Sequence, residues 1–217
     1  MTAMLRAFVM LVVVSSCAPA PKTQFTLTFR NIAEQPVTGA SGQYEAAFSP
    51  GWVRMKTPLF VPGEFADQRL TQLGTAGDAL EYIGTEGASF PKDLAVTYSD
   101  AQLHYPQEFF ADFEAGPGDL LTAACMFGPS NDTIAASPGF ALFDGETPVA
   151  GDVTRNFGFY DIGVEENEEP GFGANQPAHG TGGVEEHLPI TRINGVDSRG
   201  NAYPDLATLL RVELKKL

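Results

Sequence analysis

Apolar and polar residues alternate with period two over several stretches of the chain, and Gly, Pro, Asn or Asp bounds most of them. This is the pattern of half-buried strands rather than helices. "FTLTFRN" is the clearest case: Phe25, Leu27 and Phe29 fall on one face, and Thr26, Thr28 and Arg30 on the other. "LLTAACMF", "GFALF", "VTRNFGFYDI" and the terminal "TLLRVELKKL" read as strands too, although the composition of the last also suits a helix. Glu64 to Ile83 departs from period two. Its apolar positions recur at helical spacing, interrupted by Gly74 and Gly77, which predicts two short helices. The expected fold is therefore mostly β, an antiparallel sandwich with one or two short helices.

"LLTAACMF", "GFALF" and "VTRNFGFYDI" form three successive strands, with "GPSNDTIAASP" and "DGETPVAGD" as the joining loops. An up-down-up path brings the end of the first strand and the end of the third to the same sheet edge. Asp132 follows the first strand and Asp161 closes the third, so the two carboxylates are expected to meet. Glu165 can fold back onto them if Gly163 makes the turn. The polar, Gly-rich stretch from Gly163 to Gly183 is longer than a simple turn needs, which is a mark of a functional loop.

The N-terminus changes the picture of where the chain works. "MTAMLRAFVMLVVVSSCAPAPKTQ" has one early positive charge, a short apolar core and small residues before a cysteine. It reads as an export signal, too short in its apolar part to span a bilayer. "VSSC" resembles a bacterial lipobox, which implies residues 1–16 as a signal peptide, Cys17 as the lipidated first mature residue and residues 17–24 as an extended tether; ordinary cleavage near "CAPA" with an incidental Cys is the alternative. Residues 25–217 then form one domain, a size that suits a single core. Ala18 rather than Asp follows Cys17, the pattern sent to the outer membrane in a Gram-negative host. The membrane is met through the lipid anchor alone.

Charge narrows the partners. The formal net charge is −14, and loss of Arg6 with the signal makes it −15. Such a surface repels nucleic acid and anionic membrane and favours cations or basic partners. With Cys17 lipidated, Cys125 is the other thiol of the chain, so no internal disulfide forms; its apolar neighbours make it a core residue.

"DIGVEENEEP" concentrates the negative charge, with Asp161, Glu165, Glu166, Glu168 and Glu169 inside nine positions and no Lys or Arg among them. A solvated loop is one explanation, since water and salt screen such repulsion. A bound cation is the other, because close carboxylates disfavour one another's charged form unless one is present.

The motifs "GPSND" and "DIGVE", with "TPLFVPGEFADQRLTQLGTAGD" and "MFGPSNDTIAASPGFALFDGETPVAGDVT", resemble the spondin N-terminal domain and especially its exported bacterial members. The resemblance covers about Phe25 to Leu217. It implies a C2-like antiparallel β-sandwich and Asp132, Asp161 and Glu165 as side-chain ligands of Ca²⁺. Glu165 replaces the family's usual Asp, with the same charge on a longer arm. Family disulfides have no counterpart here. The remaining acids, Glu166, Glu168 and Glu169, are expected to face solvent or pair with Arg155. The function so implied is adhesion or recognition of a protein or glycan at the cell surface, or a structural envelope role in which calcium staples loops.

Enzymatic readings fare less well. "DIGVEENEE" is not an EF-hand, which requires Gly at its sixth position and Glu at its twelfth, where this chain has Glu166 and Phe172. His179 and His187 match no zinc spacing, with His104 as the only other nitrogen ligand. "GASGQ" lacks the strand-turn-helix context of a nucleophilic serine. Asp132 with Glu168 or Glu169 has no accompanying aromatic sugar platform beyond Trp52 and scattered Tyr. Trp52 itself reads as a core anchor. The chain is expected not to be an enzyme, with a secreted hydrolase as the remote alternative. The "NDT" triplet at Asn131 is a formal glycosylation signal that conflicts with a metal at Asp132.

Overall fold

The computed structural model of the protein describes residues 22–77, 98–99, 102–103, 108–177, 179 and 182–217. Cys17, the signal peptide, most of the tether, the second expected helix and His104 lie outside the described residues.

The first half of the described chain contains β1 (Thr23–Asn31), β2 (Val37–Thr38), β3 (Gln43–Tyr44), β4 (Phe48–Met55), α1 (Gln68–Ala76), β5 (Tyr98–Ser99), β6 (Gln102–Leu103) and β7 (Glu108–Ala115). The second half contains β8 (Leu120–Phe127), β9 (Thr133–Ala141), β10 (Phe143–Asp144), β11 (Thr147–Pro148), β12 (Gly151–Asp152), β13 (Gly158–Asp161), β14 (Thr191–Ile193) and β15 (Leu210–Lys216). The chain is mostly β, as its alternation predicts. A four-stranded sheet runs β12-β15-β1-β7 and a five-stranded sheet β14-β13-β9-β8-β4. Every pairing in them is antiparallel.

One hydrophobic cluster draws on both sheets, consistent with sandwich-like layering. Phe25, Leu27 and Phe29 of β1 are fully buried, each contributing about 1.5–3 kcal/mol by leaving water. Phe29 stacks on Phe109 at 5.0 Å and meets Phe157 edge-on at 5.5 Å. Trp52 is buried in this core and Cys125 lies fully inside it, its thiol pushed up by burial.

Several boundaries differ from the sequence pattern, each for a physical reason. "TIAASP", expected within a loop, is the start of β9: Thr133 to Ser137 are buried without alternation because β9 is a central strand covered on both faces. "GFALF" is not one strand but the end of β9 and the start of β10, and the ladder to β8 slips between Leu121 and Ala123. Pro138 sits at that slip, past the residues that pair with β13, where its missing N–H costs no ladder bond. "VTRNFGFYDI" begins as a 3-10 turn at Thr154–Asn156, with the strand confined to Gly158–Asp161. The terminal segment is a strand, joined along its length to β1. The strand β7, absent from the expected set, buries Phe109, Ala111, Phe113 and Ala115 in strict alternation.

Helix α1 is one helix, not one broken at Gly74. Asp67 caps its start, Oδ1 accepting from Leu70 N at 2.8 Å, and Gly77 ends it in the left-handed conformation, φ 64°. Gly74 is retained inside it for a packing reason. A Cβ there would lie 2.5 Å from Ile162 Cδ1 and 3.4 Å from Asp132 O. The helix is thus pressed against the turn that holds Asp132.

Candidate metal centre

The turn between β8 and β9, "GPSND", is buried throughout. Ser130 organises it: its hydroxyl donates to Phe127 O at 2.6 Å and accepts from Thr133 N at 3.1 Å. That closes a tight Ser/Thr-type turn and leaves Asp132 at its end with no exposed surface. Across the ladder, Thr133 pairs with Asp161. The register therefore brings the two aspartates to one end of the five-stranded sheet.

Past Asp161 the chain reverses at Gly163, φ 70°. Glycine is needed twice over here, because a Cβ would also stand 2.3 Å from Leu188 O. Asp161 Oδ1 accepts from Gly163 N at 2.7 Å, an Asx turn that fixes the reversal. Asp132 Oδ2 then accepts from Val164 N at 2.8 Å and Glu165 N at 3.0 Å. One aspartate shapes the turn from inside and the other grips its outer backbone. Asp132 Oδ1 is left buried with no hydrogen-bond partner.

The electrostatics follow from that burial. Asp132 is pushed up to about 7, chiefly by burial and then by the Asp161 charge; the Glu165 and Val164 N–H groups oppose the rise and the Glu165 charge adds to it. Asp161 is raised, again first by burial; the Gly163 N–H and the Asn167 amide hold it down while Asp197 pushes it up. Glu165 is raised by burial, against hydrogen bonds from Gly183 N–H and the Asn131 side chain. All three expected ligands thus belong to one acidic neighbourhood. Among the described residues, no group of three or more His, Cys, Asp and Glu side chains is set to hold a metal ion as these side chains lie. Asp161 has both oxygens hydrogen-bonded and Glu165 is engaged by Gly183, whereas Asp132 Oδ1 and Glu186 Oε2 are buried without a partner. Hard oxygen donors with an excess of negative charge are the kind of donor set that Ca²⁺ takes.

The other acids of the run reach solvent in part, as expected, but each also has a protein partner, and none pairs with Arg155. Glu166 pairs with Arg199 at 2.7 Å, and the same guanidinium lies 3.6 Å from Glu186. Glu168 accepts from Asn131 Nδ2 at 3.2 Å and from Asn175 N at 3.0 Å. Glu169 accepts from Ser41 N at 2.7 Å and from the Ser41 hydroxyl, which keep it below the usual carboxylate range. Arg155 instead acts on Asp152. The acidic loop is stitched to three separate parts of the fold, which answers how so much like charge is held together.

Asn167, Asp197 and Arg199 are parts of this neighbourhood that motif reading passes over, and Asn131, read there as a formal glycosylation signal, is another. Asn131 is 1 % exposed and bonded to Glu168 through both amide atoms, so it is no glycosylation site in the folded chain. Asp197 holds its own turn, accepting from Arg199 N, Asn201 N and Asn201 Nδ2, each at 2.9 Å. Their signal in sequence was slight, since isolated Asn and Asp residues usually mark ordinary turns. The two described histidines do not converge: His187 stacks on Phe65 at 4.3 Å, and His179 Nδ1 lies 2.9 Å from Gly173 O. A cleft of about 540 Å³ opens beside Glu165, walled by Thr71, Thr75, Glu185, Glu186 and His187.

No known protein family matches the chain, and no protein of curated function matches it.

Proposed function

We propose that this chain is a calcium-binding, lipid-anchored cell-envelope protein, not an enzyme, whose β domain serves adhesion or recognition of a protein or glycan at the cell surface. The observation that carries the calcium reading is Asp132: a fully buried carboxylate, one oxygen without a donor, beside a second buried carboxylate. Such a pair is costly when ionised and becomes favourable around a divalent cation. Asp132, Asp161 and Glu165 would supply side-chain oxygens, and of the three Glu165 borders an open cleft. Extracellular modules of this kind bind calcium with dissociation constants of about 10⁻⁴ to 10⁻³ M.

Export and anchoring rest on the signal pattern and Cys17. No helix among the described residues is long and apolar enough to cross a membrane. The adhesive role rests on the motifs that resemble spondin domains. A second reading, calcium as a loop staple in a structural envelope protein, is favoured by the depth of Asp132, where an ion meets loops rather than a partner.

Calorimetric titration of the chelator-stripped protein with CaCl₂ tests the calcium reading. One saturable site is expected, raising stability by about 2.7 kcal/mol at a hundredfold excess over Kd. Absence of both heat and stabilisation refutes it.

A further inference from the structure

Asn167 lies six residues beyond Asp161 and is 5 % exposed. Its amide is used on one side only. Nδ2 donates to Asp161 Oδ2, while Oδ1 is buried with no donor. Turning the amide over does not repair this, since it sets the carbonyl oxygen against a carboxylate oxygen and leaves the NH₂ group to be satisfied elsewhere. A buried acceptor in that position lacks a positive partner in either orientation.

A second orphaned acceptor, Asp132 Oδ1, lies on the β8–β9 turn, on a side chain with no exposed surface. Backbone bonds tie the two together: Asp132 Oδ2 takes the N–H groups of Val164 and Glu165, and Asp161 Oδ1 takes that of Gly163. The segment from Asp161 to Asn167 thus winds around the aspartate pair. Of the nearby carboxylates, Glu186 also has a buried oxygen without a donor, but its other oxygen lies 3.6 Å from the Arg199 guanidinium; the others are occupied. Asp197 spends its oxygens on its own turn, and Glu168 on Asn131 and Asn175. Among the neutral side chains of this loop, the unsatisfied buried oxygen singles out Asn167.

We propose that Asn167 is a fourth side-chain ligand of the cation site, and that its amide turns over when calcium binds. In the calcium-free protein Nδ2 stands in for the cation by donating to Asp161. On binding, Oδ1 takes that position, and Asn167 and Asp161 both offer oxygens to the ion. A neutral ligand suits a site that already holds three carboxylates, because a further charge would add repulsion without adding to neutralisation. The inference rests on the calcium reading and deepens it.

The test compares the mature wild-type protein with Asn167→Asp and Asn167→Ala. Calcium affinity is read by calorimetry and melting temperature is read in chelator and in excess CaCl₂. Asn167→Ala is expected to weaken calcium binding by about tenfold or more. Asn167→Asp is expected to melt lower than wild type in chelator yet bind calcium at least as tightly, so that excess CaCl₂ restores its melting temperature. In wild type, the Asn167 side-chain amide resonances should shift as calcium is added, a readout that needs no variant. The inference is overturned, with the calcium reading intact, if wild type binds calcium while Asn167→Ala binds equally well or the amide resonances do not move. It is also overturned if Asn167→Asp is destabilised equally with and without calcium. If wild type shows no calcium response, both fall together.

Discussion

Thr133 and Asp161 face each other across the β9–β13 ladder, and this one pairing sets Asp132, the residue before Thr133, against the turn that follows Asp161. Asp132 ends the β8–β9 turn and Asp161 ends β13, about thirty positions on, yet each holds the backbone of the same reversal. If calcium binds as proposed, stability and ion binding are coupled at this point, because the carboxylates that build the turn are those that repel one another without a cation.

Asp132→Asn separates the two effects. The amide can keep an oxygen on the Val164 and Glu165 N–H groups while removing a buried charge. In chelator at pH 8 the variant should melt at or above the wild-type temperature, and it should lose the stabilisation by calcium. A variant that still gains from calcium places the ion elsewhere. One that collapses in chelator shows that the ionised carboxylate is needed for the turn itself.

A carboxyl raised to about 7 in the folded state, against about 4 unfolded, favours the folded protein most below pH 4. That contribution is lost as pH rises from about 4 through 7, on the order of 4 kcal/mol for this group in the absence of calcium. Asp161 and Glu165, also raised, act in the same sense; Glu169 and Asp152, held low, act oppositely below the usual carboxylate range. Calcium competes with the proton and should flatten the decline. Urea titrations at pH 5 and pH 8, with chelator or CaCl₂, check both the sign and its reversal.

Gly163→Ala should destabilise the protein by about 1–3 kcal/mol and weaken calcium binding, because the left-handed backbone and the 2.3 Å approach to Leu188 O both exclude a Cβ. Gly145→Ala is the control. It has a similar φ of 61° but nothing near the added atom, so it carries the conformational cost alone. Equal losses in thermal melts of the two variants would remove the close approach as a cause.

Cys17→Ser should move the protein from the membrane to the soluble periplasmic or culture fraction. Retention in the membrane fraction of cells carrying the variant defeats the lipid anchor.

The strand-rich class of this protein was written in the alternation of "FTLTFRN" and in the Gly and Pro residues between segments, because a half-buried strand imposes period two on its own sequence. The meeting of Asp132 with Asp161 was legible for the same reason, as successive antiparallel strands return to the same edge. Alternation failed where burial is two-sided: "TIAASP" became a central strand and shows no polar face. Only the tertiary structure decided that Gly74 continues a helix, since its role is the space it leaves for Ile162. Likewise, Glu166, Glu168 and Glu169, though partly exposed, find Arg199, Asn131 and Ser41 as partners, separated from them by up to 128 residues. Local sequence encodes backbone periodicity and turn chemistry, but which distant donor completes a carboxylate depends on how the loops pack, and that is fixed only when the whole chain has folded.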